Sequence, residues 1–122
     1  MIRHHAVSFK NAISGLLWVI RTQKNFKVHL FLSGLALIGG WVFEISYIEF
    51  LVILTLITIG LSTEIINTAI EETIDALDKE RREEIRIAKD VSASFMLMFS
   101  MGAFTIACII FIPKIIDYLA VL

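Results

Sequence analysis

The chain has 122 residues and a formal net charge of -1, and 57% of its residues are hydrophobic against 19% charged. A mean hydropathy of +0.81 is too high for an ordinary water-soluble domain of this length, so the composition indicates one membrane-embedded domain. The single cysteine, Cys108, excludes an internal disulfide. The N-terminus lacks the compact apolar core and cleavage site of a signal peptide, so we expect the hydrophobic segments to stay in the mature protein.

Residues 6–27 alternate apolar and polar side chains at helical spacing. Phe9, Ile13 and Leu16 can share one face of such a helix, with Lys10 and Arg21 among its polar residues. This pattern predicts an amphipathic helix lying in the membrane interface, where basic side chains contact anionic headgroups. An ordinary helix docked on the rest of the protein is the alternative.

Three apolar segments follow, and a membrane span needs about 20 mostly apolar residues. We predict spans over about residues 28–46, 47–70 and 93–113. Buried core helices are the alternative, but so short a chain has too little polar surface to cover three of them. The expected fold is therefore all-α, with a surface helix and three transmembrane helices in a single domain over residues 1–122.

Basic residues predict the orientation of these spans. Lysine and arginine are concentrated before the first span and between the second and third, whereas the loop around 44–49 contains neither. Only Lys114 lies beyond the third span. We therefore expect the N-terminus and residues 78–90 on the cytoplasmic side and the C-terminus outside.

The second apolar helix ends in a polar stripe made of Glu64, Asn67, Glu71 and Asp75, spaced by three, four and four residues. At 3.6 residues per turn these side chains fall in one narrow sector of the helix. Carboxylates four residues apart repel each other, so such a stripe persists most readily when cations neutralise it. Carboxylate and amide oxygens suit Mg²⁺ together with phosphate oxygens. A solvated acidic helix end, paired with nearby lysines and arginines, explains the spacing equally well.

Arg86, Lys89 and Asp90 come just before the third span, close to the same side of the membrane. Lysine and arginine can hold ATP phosphates, and an aspartate can orient them. An anchoring role of the positive-inside type explains these residues too. The sequence contains no Gly-rich phosphate-binding loop, so any ATP site here is built from helix side chains.

Two motifs closely resemble the small bacterial diacylglycerol kinase and undecaprenol kinase family: Glu64-x-x-Asn67-Thr68-Ala69-Ile70-Glu71-x-x-x-Asp75 and Ala88-Lys89-Asp90-x-x-Ala93. The N-terminal Phe9-x-x-Ala12-x-x-Gly15 and Asn25-Phe26-x-x-His29 are also similar to it, so the resemblance covers essentially the whole chain. It implies a kinase of the bacterial cytoplasmic membrane that uses ATP and Mg²⁺. It also implies a homotrimer whose active sites are shared between neighbouring subunits. Undecaprenol is the favoured lipid alcohol, diacylglycerol is close behind, and we expect no nucleic-acid partner.

The same resemblance implies roles for individual residues. Glu64 would be the general base on the lipid hydroxyl, Glu71 would ligate Mg²⁺, and Asn67 would position the nucleotide phosphates. The other residues expected at the nucleotide are Asp75, Glu80, Arg82, Lys89, Asp90 and Asn11.

One position departs from the family pattern. Where the family usually has a second metal-ligating glutamate, near the end of the surface helix, this chain has Gln23. An amide oxygen can ligate Mg²⁺ but brings no charge. We therefore expect Glu71 and Gln23 as metal ligands, with a lower affinity for the metal. The polar loop over residues 79–84 also differs from the common family sequence.

A non-enzymatic membrane protein, such as a small oligomeric channel or an assembly subunit, is the competing hypothesis. It requires a continuous polar path across the bilayer. The second span is polar at one end only, because Thr55, Thr58 and Ser62 are too weakly polar to form an ion path. The sequence therefore favours the kinase.

Overall fold

Four α-helices make up the part of the chain that the computed structural model describes, residues 2–77 and 82–121 with side chains from His5 onward. They are α1 (Ile2–Thr22), α2 (Lys24–Val42), α3 (Tyr47–Leu77) and α4 (Glu83–Ala120). No strand occurs in these residues. The prediction of an all-α chain is confirmed.

Three of the helices are long and apolar enough to cross a membrane. The mean hydropathy of their most apolar part is 1.2 in α2, 1.9 in α3 and 2.4 in α4. Many large apolar side chains are exposed on these helices, with Trp41 83% and Met98 72% exposed. Hydrocarbon rather than water is the medium that suits such surfaces, so α2, α3 and α4 are candidate membrane spans, in the number that the sequence predicts.

The break between α1 and α2 lies at Gln23, which has extended backbone with φ -89° and ψ 115°. We had expected the first helix to continue to residue 27, but Lys24 already begins α2. The end of α1 is stabilised by side chains, since Thr22 Oγ1 donates to the Trp18 carbonyl at 2.8 Å and Lys27 Nζ to the Arg21 carbonyl at 2.8 Å. The bond from Lys27 satisfies one of the last carbonyls of α1, which a helix end leaves free.

A Schellman motif ends α2. The Glu44 N–H donates to the Trp41 carbonyl at 3.3 Å and the Ile45 N–H to the Gly40 carbonyl at 3.0 Å. Glu44 is left-handed, with φ 50°. A Cβ on Gly40 would lie 2.8 Å from Ile45 Cδ1, so glycine lets the isoleucine close over the helix end.

A capping box begins α3. The Ser46 N–H donates to Glu49 Oε2 at 2.7 Å, and the Glu49 N–H donates to Ser46 Oγ at 3.3 Å. Lys114 of α4 places its Nζ 3.3 Å from the same carboxylate oxygen. We call this end of the helices, with the turn over residues 43–46, the loop end, and the opposite end, with Glu64 to Asp75, the site end.

The α4 helix runs antiparallel to α3 along almost its whole length. From the loop end to the site end, the register is marked by Lys114 with Glu49, Phe99 with Gly60, Ser92 with Asn67, and Lys89 with Asp75. This register brings the first turns of α4 beside the polar stripe of α3.

Candidate active site

Polar residues form most of the buried surface of α3 at its site end. Thr63, Glu64, Asn67 and Thr68 are 3–7% exposed. Charged and amide side chains are rarely buried unless they have partners or a function. Further along the stripe Glu71 is half-buried and Asp75 is exposed, so the four predicted residues run from the protein interior towards water.

A chain of hydrogen bonds connects α4 to this stripe. Ser92 Oγ donates to Asn67 Oδ1 at 2.6 Å, and Asn67 Nδ2 donates to Glu71 Oε1 at 3.0 Å. Both ends of the Asn67 amide are therefore fixed, and the amide in turn orients the Glu71 carboxylate. Two of the predicted site residues, Asn67 and Glu71, are brought together by the structure.

Ser92 was missed by the sequence analysis. It lies between Val91 and Ala93 at the start of an apolar run, where a serine is typical of ordinary helix packing. The sequence does contain one indication of its role: Ser92 comes three residues after Lys89, and residues three apart share a helix face. That face of α4 is the one turned towards α3.

Lys89 and Asp75, both expected at the nucleotide, are also brought together. The Lys89 ammonium pairs with Asp75 Oδ1 across the α3–α4 boundary. The same pair is what a solvated acidic helix end would form, so it does not by itself separate the two interpretations. It does fix a lysine beside the exposed end of the stripe.

Asp90 lies on a different face of α4, where it pairs with Arg86. Arg86 Nη1 is 2.7 Å from Asp90 Oδ2, and Arg86 Nε donates to Glu83 Oε2 at 3.1 Å. The hydrogen bond from Arg86 holds the pKa of Glu83 below its ordinary value. Asp90 is therefore not part of the Ser92–Asn67–Glu71 chain, and its predicted nucleotide contact stays a prediction.

The other predicted residues lie near the α1–α2 break, on α1 or before α4. Gln23 is half-buried, and its Nε2 donates to Thr22 Oγ1 at 3.3 Å. Asn11 is exposed on α1, and Arg82 is exposed at the N-cap position of α4. Glu80 lies outside the described residues.

The stripe suits a metal that takes few protein ligands. Across residues 2–77 and 82–121 there is no group of three His, Cys, Asp or Glu side chains able to hold a metal ion. Mg²⁺ usually binds one or two carboxylates and completes its coordination with water and substrate phosphates. Glu71, oriented by Asn67, fits that role, whereas a cage made wholly of protein ligands does not fit these residues.

An apolar groove of about 280 Å³ lies between α2, α3 and α4. Its lining includes Ile57 and Gly60 of α3, Phe99 and Ala103 of α4, and His29 of α2. Gly60 is four residues before Glu64, so the groove ends one helical turn from that buried carboxylate. The apolar groove thus lies beside the buried end of the polar stripe.

Residues 10–111 match the family model described as prokaryotic diacylglycerol kinase. The match covers the stripe, the groove and the first turns of the α4 span. The chain belongs to the prokaryotic diacylglycerol kinase family. The predicted family is confirmed, and so is the predicted activity, since membership makes the chain a lipid kinase with a nucleotide co-substrate. We therefore set aside the non-enzymatic hypothesis.

Two relatives of this kinase are informative. This chain is 35% identical over 108 residues to undecaprenol kinase from Bacillus subtilis, and the alignment covers 88% of each chain. It is 25% identical over 112 residues to diacylglycerol kinase from Synechocystis sp., covering 91% of this chain and 64% of the relative. The kinase is thus similar to proteins named for two different lipid alcohols.

Proposed function

We propose that this lipid kinase transfers the γ-phosphoryl group of ATP to the hydroxyl of a membrane lipid alcohol, with undecaprenol favoured, in the presence of Mg²⁺. The observation that carries the proposal is the buried Glu64 carboxylate, which lies at the membrane end of a stripe fixed by hydrogen bonds between α3 and α4. Similarity to an undecaprenol kinase supports the choice of lipid.

Glu64 is proposed as the general base. The lipid hydroxyl oxygen attacks the γ-phosphorus, the bond to the bridging oxygen of ADP breaks, and the hydroxyl proton passes to the Glu64 carboxylate. A base needs to be within hydrogen-bond distance of that proton. Glu64, at 3% exposed, is the member of the stripe nearest the hydrocarbon, where the lipid alcohol lies, and its burial keeps competing water away.

Glu71 and Asn67 are proposed to organise the nucleotide end. Mg²⁺, when bound, would neutralise charge on the phosphate oxygens. Glu71 would hold it, with Gln23 as an uncharged second ligand, and Asn67 keeps the Glu71 carboxylate in place. Lys89 would leave its ion pair with Asp75 to contact phosphate oxygens, since ammonium groups are common phosphate ligands.

The groove suits a hydrocarbon chain of the lipid substrate, because its lining is mostly apolar. Within the described helices the apolar groove between α2, α3 and α4 ends one turn from Glu64. A chain lying in it would bring its terminal hydroxyl to the base.

The oligomeric state and the membrane orientation of the kinase are also part of what we propose. We infer a homotrimer with active sites shared between subunits, in the bacterial cytoplasmic membrane, with α1 in the membrane interface. The N-terminus would be cytoplasmic and the C-terminus outside. The positive-inside rule supports this orientation, because Lys24, Lys27 and Lys89 are at the site end and Lys114 is at the loop end, paired with Glu49.

Transfer of labelled phosphate in mixed micelles tests the function. Purified protein is given Mg²⁺ and labelled ATP with undecaprenol or a diacylglycerol at equal mole fraction. We expect product with both lipids and a higher kcat/KM for undecaprenol. Glu64→Gln should lower kcat by at least about 100-fold, the usual contribution of a general base.

Glu72→Gln is the matched control, since it makes the same change at an exposed carboxylate of α3 outside the stripe. It should leave kcat unchanged. A folded protein that transfers no phosphate to either lipid would contradict the proposed function.

A further inference from the structure

His29 is the ionisable side chain of α2 that lines the apolar groove. It is half-buried within a membrane-spanning helix, where ionisable residues are costly and usually have a function. Ser33, one turn further along α2, also lines the groove and donates its Oγ to the His29 carbonyl at 2.7 Å. His29 lies near the start of α2, which places it at the site end of the groove.

Glu64 of α3 lies near the same end of the groove. Gly60 and Leu61, which precede Glu64 by one turn, line the same groove as His29. Within the described residues, the groups that act on the Glu64 carboxylate electrostatically are His29 from α2 and Glu71 from α3. The imidazole and the buried carboxylate therefore lie within electrostatic reach of each other at the site end of the groove.

Burial makes ionisation of the Glu64 carboxylate energetically costly. It must carry its charge to accept a proton, but removal from water makes a lone charge costly. Glu71 adds a like charge and raises this cost further. An imidazole lowers it, because it can offer a ring N–H or a positive charge. His29 is the side chain of α2 placed to lower the cost of ionising Glu64.

We propose that His29 is a positioning residue for the base: from α2, at the same end of the groove as Glu64, its imidazole orients the carboxylate and stabilises its ionised form where the lipid hydroxyl arrives. The proposal rests on the proposed role of Glu64 and adds a function for His29. His29 itself neither accepts the proton from the alcohol nor touches ATP.

The test compares His29→Ala and His29→Gln in full-length protein, using undecaprenol and ATP in mixed micelles across a pH series. Alanine removes the donor, whereas glutamine keeps an N–H donor of similar reach. His5→Ala, which removes an exposed histidine of α1, is the matched control. Intrinsic tryptophan fluorescence on heating reports whether each variant is folded.

We expect His29→Ala to lower kcat about tenfold, a part of what a general base contributes, with the KM for ATP unchanged. The acid limb of its pH–rate profile should move to higher pH, because a carboxylate that has lost a nearby N–H or cationic group needs a higher pH to lose its proton. His29→Gln should regain most of kcat, and His5→Ala should match the wild type.

Two results would overturn the proposal. One is a wild-type acid limb in both His29 variants. The other is an equal loss of kcat in both variants together with earlier unfolding, which would show a packing role. If His29→Ala does not fold, the pH profile of His29→Gln decides alone. Failure of the wild-type protein to phosphorylate any lipid would instead overturn the proposed function, so the two failures are distinguishable.

Discussion

Ser92 of α4 holds the amide of Asn67 through a hydrogen bond of 2.6 Å across the boundary between two membrane-spanning helices. Asn67 in turn donates a hydrogen bond to the Glu71 carboxylate. The orientation of a proposed metal ligand on α3 therefore depends on a serine of another helix, in a position that the sequence motifs do not mark.

Ser92→Ala should lower kcat/KM for Mg-ATP about tenfold. Loss of the hydroxyl leaves the Asn67 carbonyl oxygen without its donor, at a cost of about 1–3 kcal/mol, and frees the amide to turn away from Glu71. Steady-state kinetics with varied Mg-ATP measures the effect. Ser94→Ala is the control, because Ser94 is exposed and donates to the Val91 carbonyl of its own helix. Equal kinetics for the two variants would contradict the assigned role.

Gln23→Glu should lower the Mg²⁺ concentration needed for half-maximal activity, by about tenfold, or about 1.4 kcal/mol. The substitution adds a second carboxylate where the present side chain offers an uncharged oxygen, and Mg²⁺ prefers charged oxygen ligands. A magnesium titration at fixed ATP measures it.

Asn25→Asp, which adds the same charge two residues away at an exposed position, is the control for this titration. An identical shift in both variants would mean that general electrostatics, rather than ligation by residue 23, causes the change.

Gly60→Ala should destabilise the protein by about 1–3 kcal/mol, the usual range for overpacking a well-packed interface. A Cβ at Gly60 would lie 2.6 Å from Phe99 Cε1, so α3 and α4 would have to separate or the ring would have to move. Thermal inactivation in detergent measures the effect, and adding Phe99→Leu should restore stability.

Gly102→Ala provides the comparison, since a Cβ there has nothing within 4 Å in the described chain. Its inactivation temperature should equal or exceed that of the wild type, because alanine favours a helix over glycine. A stable Gly60→Ala variant would show that the close approach of the two helices is not needed.

Glu44→Gly should stabilise the protein by about 1 kcal/mol. Glu44 has φ 50°, a conformation that costs a residue with a Cβ about 1–2 kcal/mol and costs glycine little. Glu44→Ala removes the carboxylate but keeps the Cβ, so it should gain nothing. Chemical denaturation followed by tryptophan fluorescence compares the three proteins, and equal gains would attribute the effect to the lost charge instead.

The sequence predicts the membrane spans well because a long apolar run has few alternatives in a short chain. The break at Gln23 was placed too late, since the helical pattern continues through Lys24 and Lys27 without a proline or glycine to mark it. The sequence places the loop between the first two spans around residues 44–49 but does not reveal that Glu44 is left-handed, because this residue is neither glycine nor asparagine.

The candidate site was predictable where it lies on one helix. Glu64, Asn67 and Glu71 share a face by spacing alone, and the structure shows the bond between the last two. The contribution of Ser92, and the one proposed for His29, depend on how α4 and α2 pack against that face. Spacing within one helix carries no information about such packing.

The unbroken α3 helix also determines how the two substrates meet. From Glu64 to Asp75 it rises by about 16 Å, from a buried position to water, with no hinge between them. The alcohol can then stay in its own leaflet while the nucleotide approaches from solution, and the charged product emerges on the side where it was made. Turnover should consequently follow the mole fraction of lipid in the bilayer plane, and diluting the lipid with inert detergent should slow the reaction even when its bulk concentration is constant.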